Sequence, residues 1–125
     1  MSEYIRKSHN VSVLLYHLVC PTQYRRAPVT EPVEATLRSI CRQIENCLEI
    51  TFVEIGADQD HVHFLLQSVP KLSPARLVQI IKSITTGDLS RRLPGVKKAM
   101  SGACFWSSGY FLSTVGHHGI MAAKR

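Results

Sequence analysis

The residues best suited to chemistry in this chain are two histidines separated by a single position, His61 and His63. Val62, Phe64 and Leu66 alternate with them, and a period of two is typical of a strand with one buried face. Both imidazoles therefore project from the opposite face. Side chains two residues apart on one face of a strand lie about 7 Å from each other. The spacing therefore predicts a binding site for one metal ion.

Two acidic residues, Asp58 and Asp60, precede this strand. A neutral imidazole binds a metal through one nitrogen and needs a carboxylate or carbonyl to orient its other N–H group. The aspartates could therefore be oxygen ligands, or they could orient the imidazoles. Two histidines with oxygen donors and no nearby cysteine favour Mg²⁺ or Mn²⁺. The alternative is that both histidines are exposed polar positions of an amphipathic strand.

The elements that must position these residues follow from the pattern of apolar residues and turn residues. Strands are predicted over 11–19, over 50–55, from His61 to just before Pro70, and over 110–115. Helices are predicted from a Thr30 N-cap to about residue 48, and from Ser73 to a break at Gly87. The order is β-α-β-β-α-β, with a short extended segment at 105–106. We therefore predict an α+β, ferredoxin-like split β-α-β fold: an antiparallel sheet of about four to five strands with two main helices against one face.

Length and composition favour a single globular domain over 1–125. The chain has 125 residues, of which 45% are hydrophobic and 19% charged. No apolar run approaches the roughly 18–20 residues of a membrane span, and the N-terminus lacks the apolar segment of a signal peptide. We expect a cytoplasmic protein with no membrane association.

The cysteines indicate neither a zinc site nor disulfides. They are scattered and form no Cys-x-x-Cys pair, and each lies among apolar neighbours, as small buried hydrophobic residues do. Their positions are Cys20, Cys41, Cys47 and Cys104. Reduced thiols fit a cytosolic setting.

A net charge of +6 and a pI near 9.4 favour an anionic partner such as nucleic acid. Basic residues of the second helix and of the segment that follows it have few acidic neighbours, and they predict a phosphate-contacting surface. These residues are Lys82, Arg91, Arg92, Lys97 and Lys98.

A loop near the first strand, Tyr24-Arg25-Arg26, joins two guanidinium groups to a ring that could stack on a base. A solvated surface is the alternative in both places. His17, in the first strand, is interpreted as a hydrogen-bonded core histidine.

The stretch Asp60-His61-Val62-His63-Phe64-Leu65-Leu66 resembles the His-hydrophobic-His motif of the IS200/IS605-family transposases. These are single-tyrosine HUH endonucleases, related to the REP-associated tyrosine transposases. Three other stretches match the family in the same order, and together the four blocks span nearly the whole chain. They are Tyr16-His17-Leu18-Val19-Cys20-Pro21 with Tyr24-Arg25-Arg26, Ile80-Ile81-Lys82-Ser83-Ile84, and the run from Phe105 to Gly116.

The resemblance implies a dimeric DNA transposase that binds single-stranded hairpin DNA at insertion-sequence ends. In such enzymes a metal ion polarises the scissile phosphate, and a tyrosine hydroxyl attacks it to form a 5′-phosphotyrosine link. By resemblance His61, His63 and Asp58 are the metal ligands, and Asp60 orients a ligand. The same resemblance implies a homodimer as the assembly.

The chain departs from the family where the nucleophile is expected. Family members carry a tyrosine, and a glutamine a few residues later, on a helix shortly after the last strand. Residues 117–125 contain neither, so we expect a C-terminal helix that is truncated or altered from about 117. Tyr110 is a weak substitute nucleophile. The expected outcome is a chain that binds metal and hairpin DNA but cleaves poorly or not at all. The alternatives are a non-catalytic hairpin DNA- or RNA-binding domain and a metal-dependent nuclease that uses water.

Overall fold

The computed structural model describes residues 14–23, 28–100 and 104–115. Over these residues the chain forms three helices and a four-stranded sheet. The strands are β1 (Leu14–Pro21), β2 (Thr51–Ala57), β3 (His61–Ser68) and β4 (Phe111–Thr114). The helices are α1 (Glu31–Cys47), α2 (Pro74–Arg92) and α3 (Pro94–Met100). The α+β prediction is confirmed, with one short helix more than expected.

The strands lie in the order β2-β3-β1-β4, and every neighbouring pair is antiparallel. The crossover through α1 places β3 between β1 and β2, and the crossover through α2 places β1 between β3 and β4. This is the split β-α-β connectivity that the element order predicts. It places β3, the strand of the two histidines, in the interior of the sheet beside β1.

Both long helices begin where the sequence indicates. Thr30 has an extended backbone before α1, which carries a proline in its first turn. Ser73 caps α2, since its side chain accepts a hydrogen bond from the Arg76 N–H. Each helix buries one apolar face against the sheet. The buried residues are Val33, Leu37, Ile40, Cys41 and Ile44 of α1, and Leu77, Val78, Ile81, Thr85 and Leu89 of α2.

The predicted break at Gly87 is wrong, because α2 continues to Arg92. Glycine costs only about 1 kcal/mol in a helix, and burial of Leu89 two residues further on stabilises the continuation. Leu93 is the C-cap residue of α2, and Pro94 begins α3. Proline suits the first turn of a helix, where its missing N–H group has no partner to lose.

The helices cover one face of the sheet and leave the other open. On the covered face, Leu18, Phe64 and Trp106 are almost fully buried. The Trp106 indole N–H donates to Thr85 Oγ1 at 2.8 Å, and that hydroxyl donates to the Ile81 carbonyl at 2.6 Å. These bonds attach the segment before β4 to α2. Of the helices in the described part of the chain, none has the length and apolarity to cross a membrane.

All four cysteines are free thiols. Cys20 and Cys41 are buried, as expected, and burial raises the pKa of each thiol to about 12. The expectation of burial is wrong for Cys47 and Cys104, which are exposed. Cys47 is the last residue of α1, beyond the turns that pack on the sheet.

Candidate functional site

A cavity of about 320 Å³ lies on the open face of the sheet. Three adjacent strands supply its walls, because the alternation of each strand sends every second side chain to this face. The lining residues are His17 and Val19 of β1, Glu54 of β2, and His61, His63 and Leu65 of β3. The cavity therefore contains both histidines of the motif, together with a third histidine and a carboxylate.

His61 lies at the start of β3, between two carboxylates. Its Nδ1 atom is 3.0 Å from Asp60 Oδ1, a hydrogen-bond distance, and its Nε2 atom is 3.5 Å from Asp58 Oδ2. The turn that presents them is held by a hydrogen bond of 2.9 Å from the Asp58 N–H to the His61 carbonyl. Two donors at about 2.1 Å from one ion lie roughly 3.0–3.5 Å from each other. The spacing of His61 Nε2 and Asp58 Oδ2 therefore fits a shared metal ion, with Asp60 orienting the imidazole.

His63 occupies a slot formed by Gly56 and His17. A Cβ atom at Gly56 would lie 2.2 Å from His63 Nε2 and 2.4 Å from its Cε1 atom. Only a glycine at this position leaves room for the ring over β2. The His17 ring meets the His63 ring edge-on, with the centroids 6.1 Å apart and the planes at 82°. The interpretation of His17 as a core histidine is wrong, because it lies half-buried on the open face.

The donor types in this cavity suit Mg²⁺ or Mn²⁺, but the side chains do not converge on one point. The ring centroids of His61 and His63 are 6.4 Å apart. Across residues 14–23, 28–100 and 104–115, no three His, Cys, Asp or Glu side chains are arranged to hold a metal ion. The pair of His61 and Asp58 supplies two suitably spaced donors, and rotation of the His63 side chain would be needed to add a third.

Glu54 is a cavity residue that the sequence pattern does not reveal. A strict period of two would place Glu54 on the same face as Phe52, in the core. The pairing of β2 with β3 shifts between Phe52 and Glu54, so Phe52 lies opposite Leu66 while Glu54 lies opposite Leu65. This irregularity, a β-bulge at Val53, turns Glu54 to the open face. The signal in the sequence is the spacing of two apolar residues, Phe52 and Ile55, which are three positions apart instead of two or four. Both are buried in the structure.

The predicted phosphate-contacting residues do not all extend into solvent. The Lys82 ammonium group donates to the carbonyls of Ser107 and Gly109, at 2.9 and 3.0 Å. Lys82 thereby fixes the turn before β4. Lys97 and Lys98 are exposed on α3.

Two arginines near the end of α2 also have partners within the protein. Arg92 donates to Ser39 Oγ and Gln43 Oε1 of α1, at 3.0 and 2.6 Å, and thus ties the two long helices together. Arg91 is exposed and pairs with Asp88 at 2.9 Å. Of the two, Arg91 has the more accessible guanidinium group.

Tyr110 is not brought together with the histidines. Its ring lies against Lys82 of α2, with the ammonium nitrogen 5.7 Å from the ring centroid, on the side where the helices pack. Tyr24, Arg25 and Arg26 lie outside the described residues, as do residues 116–125.

The ends of the connection that contains Tyr24 are anchored near the histidine strand. The Gln23 N–H donates to the Phe105 carbonyl, and the Val29 N–H donates to the Gln59 carbonyl, both at 3.1 Å. The Thr22 N–H also donates to the Asp60 carbonyl, at 2.9 Å. The connection therefore begins and ends beside the turn that precedes His61.

Comparison with known proteins decides the family. A family model described as "Transposase IS200 like" matches residues 10–125, which include all the cavity residues. This chain belongs to the IS200-like transposase family.

Curated IS200 transposases support the assignment. The transposases for insertion sequence element IS200 from Salmonella typhimurium and Salmonella typhi are each 28% identical to this chain over 101 residues. The matched region is 81% of this chain and 66% of each relative, so the chain spans just under two thirds of their length.

Solved structures share the fold of this IS200-like chain. A crystal structure of a candidate transposase from Deinococcus radiodurans R1 has a TM-score of 0.75 and 26% identity, covering 94% of this chain and 90% of its own. A REP-associated tyrosine transposase, whose structure was solved bound to a REP hairpin, has a TM-score of 0.63 and 12% identity. That match covers 99% of this chain and 68% of the other.

Proposed function

We propose that this chain binds single-stranded DNA folded into a hairpin and positions one phosphate of the strand at the cavity on the open face. The observation that carries the proposal is His61, held between Asp58 and Asp60, in one cavity with His63. Membership of the IS200-like family supports it, and the hairpin bound by the REP-associated transposase gives the expected form of the DNA. A net charge of +6 favours binding of the phosphate backbone.

We assign the metal-holding role to His61, His63 and Asp58, with Mg²⁺ or Mn²⁺ as the ion. When bound, the ion would supply Lewis-acid polarisation of a phosphate oxygen. Asp60 accepts the Nδ1–H of His61 and so leaves the Nε2 lone pair available for coordination. Glu54 adds negative charge to the same cavity and favours a cation there.

The reaction of the family is strand cleavage and transfer through a phosphotyrosine link, and we propose that this chain performs it poorly or not at all. Among the described tyrosines, Tyr16 is buried with 3% of its surface exposed, and Tyr110 packs on Lys82. Neither lies in the cavity.

The test measures DNA retention on a native gel and covalent protein–DNA adducts on a denaturing gel. The chain is mixed with end-labelled single-stranded hairpin DNAs and Mn²⁺, beside the double variant His61→Ala/His63→Ala. The matched control is Glu49→Ala/Lys71→Ala, which removes an exposed ion pair near the other end of β3. We expect Mn²⁺-dependent retention of DNA on a native gel for the parent and the control. We expect the histidine variant to lose that dependence, and little or no covalent adduct to form.

Other outcomes identify other functions. A protein–DNA adduct that needs both histidines would contradict the proposed weak cleavage, and peptide mapping would then locate the nucleophile. Cleavage without an adduct would indicate a nuclease that uses water. Equal DNA binding in EDTA, by parent and histidine variant alike, would indicate a non-catalytic binding domain. The lack of three converged donors among the described side chains favours this last function as the second candidate.

We also propose that the chain forms a homodimer, as the resemblance implies. Sedimentation velocity over a range of protein concentrations tests this, with and without hairpin DNA. A single monomeric species under both conditions would contradict the proposal.

A further inference from the structure

An exposed aromatic ring, Phe111, lies beside the histidine cavity on the open face. The pairing of the strands places it there: Gly56 lies opposite His63, His63 opposite Val19, and Val19 opposite Phe111. Residues paired in this way project to the same face. Two strand spacings, about 10 Å, therefore separate the backbones at His63 and Phe111. The ring is 60% exposed.

The backbone that presents Phe111 is anchored by α2. Lys82 donates to the carbonyls of Ser107 and Gly109, and the Trp106 indole donates to Thr85. The Ser107 N–H also donates to the Pro21 carbonyl at 2.9 Å. The approach to β4 is therefore held from both the helix and the neighbouring strand, so Phe111 is an exposed ring on a fixed support.

The surroundings of Phe111 suit a single flat ligand better than a protein partner. Among the residues that the structure describes, its strand neighbours on the open face are Val19 and the polar residues Ser113 and His17, so the exposed apolar surface there centres on one ring. A stable protein interface usually buries about 800 Å² on each partner. An unpaired base needs only one aromatic face, and such stacking tolerates any base.

We propose that Phe111 stacks on an unpaired base of the DNA strand whose phosphate lies at His61 and His63. This inference rests on the proposed function and extends it, because it names the residue that receives a single-stranded nucleotide next to the phosphate. Phe111 is thus a substrate-positioning residue. It distinguishes a hairpin that carries a single-stranded extension from a hairpin that ends blunt.

The test compares Phe111→Leu with Phe111→Trp, because leucine removes the aromatic face and tryptophan retains one. Val53→Ala is the matched control, since Val53 is an exposed apolar residue on the opposite edge strand. Each protein is titrated in the presence of Mg²⁺ against a blunt hairpin and against the same hairpin with single-stranded extensions. The extensions carry 2-aminopurine at successive positions, and circular dichroism checks that each variant is folded.

We expect the parent to quench 2-aminopurine at a defined position of the extension. Phe111→Leu should lose that quenching and bind the extended hairpin about tenfold more weakly, with binding of the blunt hairpin unchanged. Phe111→Trp and Val53→Ala should behave like the parent.

The failure of this inference can be told from the failure of the proposed function. If the parent binds both DNAs and Phe111→Leu binds the extended hairpin equally well, stacking at Phe111 is refuted and hairpin binding stands. If Phe111→Leu lowers the dimer fraction but not DNA binding, the ring belongs to an interface between two copies, and the inference is wrong. If the parent binds neither DNA, the proposed function and this inference both fail.

Discussion

The two faces of the sheet have different roles: one forms the core under the helices, and the other carries the candidate site. On the covered face, Phe64 and Leu66 of β3 are completely buried under the helices. On the open face of the same strand, His61 and His63 are only half-buried and line the cavity. One strand therefore supplies both the core and the candidate site, through alternate residues. Stability and binding should consequently respond to different substitutions in β3.

Truncation of the same residue type on the two faces should affect stability very differently. Phe64→Ala should lower the free energy of unfolding by about 3–5 kcal/mol, because it leaves a cavity among the rings of Phe52 and Trp106. Phe111→Ala, on the open face, should change it by no more than about 0.5 kcal/mol. Urea unfolding of the two variants measures both. Similar losses would show that the open face also carries the fold.

A methyl group at Gly56 should disturb the open face alone. Gly56→Ala would place its Cβ within 2.2 Å of His63 Nε2, so the imidazole must leave its slot. We expect Mn²⁺ affinity to fall by about tenfold or more, as measured by calorimetry, with a shift of the His63 ring signals in NMR spectra. Gly87→Ala is the control, because nothing lies within 4 Å of the added carbon. A displaced ring with unchanged Mn²⁺ affinity would exclude His63 as a ligand.

The buried thiols of the covered face should make the fold sensitive to alkali. Burial raises the pKa of Cys20 and Cys41 to about 12, above the ordinary value of 9.0. The folded state therefore keeps protons that the unfolded chain releases, so stability is full below pH 9 and falls as the pH rises towards 12. The fall is about 1.4 kcal/mol per pH unit for each thiol.

Urea unfolding between pH 8 and pH 11 measures this fall, with Cys20→Ala/Cys41→Ala as the comparison. The variant should lose less stability over that range than the parent. The control is Cys47→Ala/Cys104→Ala, which removes the two exposed thiols and should retain the parental slope. Parallel curves for parent and Cys20→Ala/Cys41→Ala would contradict the explanation.

The smallest effect is expected for the histidines in the absence of metal. His61→Ala/His63→Ala removes two half-buried side chains, and it should change the free energy of unfolding by no more than about 0.5 kcal/mol. Addition of Mn²⁺ should then stabilise the parent and not the variant, since only the parent binds the ion in its folded state. A thermal melt with and without Mn²⁺ is sufficient. A large loss in EDTA would assign the histidines to structure.

Much of the fold was predictable because its signals are local. The alternation around His61 and His63 marks β3, and the N-cap positions Thr30 and Ser73 mark the starts of both long helices, although of these two only Ser73 caps its helix with a side-chain hydrogen bond. The break assigned to Gly87 failed because burial of Leu89 outweighs the modest helix penalty of glycine. The pairing of His61 with Asp58 and Asp60 could also be predicted from the sequence, because all three residues belong to one short turn and strand.

The element order, the face on which the two histidines lie and the family motifs all follow from local patterns in the sequence. The other occupants of that face follow from long-range packing. A bulge in β2 brings Glu54 to the cavity, and strand pairing brings His17 next to His63. Lys82 donates a hydrogen bond to the turn before β4. Each of these depends on contacts between segments distant in the chain. Periodicity within one segment specifies which side chains share a face, but not which other strand or helix that face will meet.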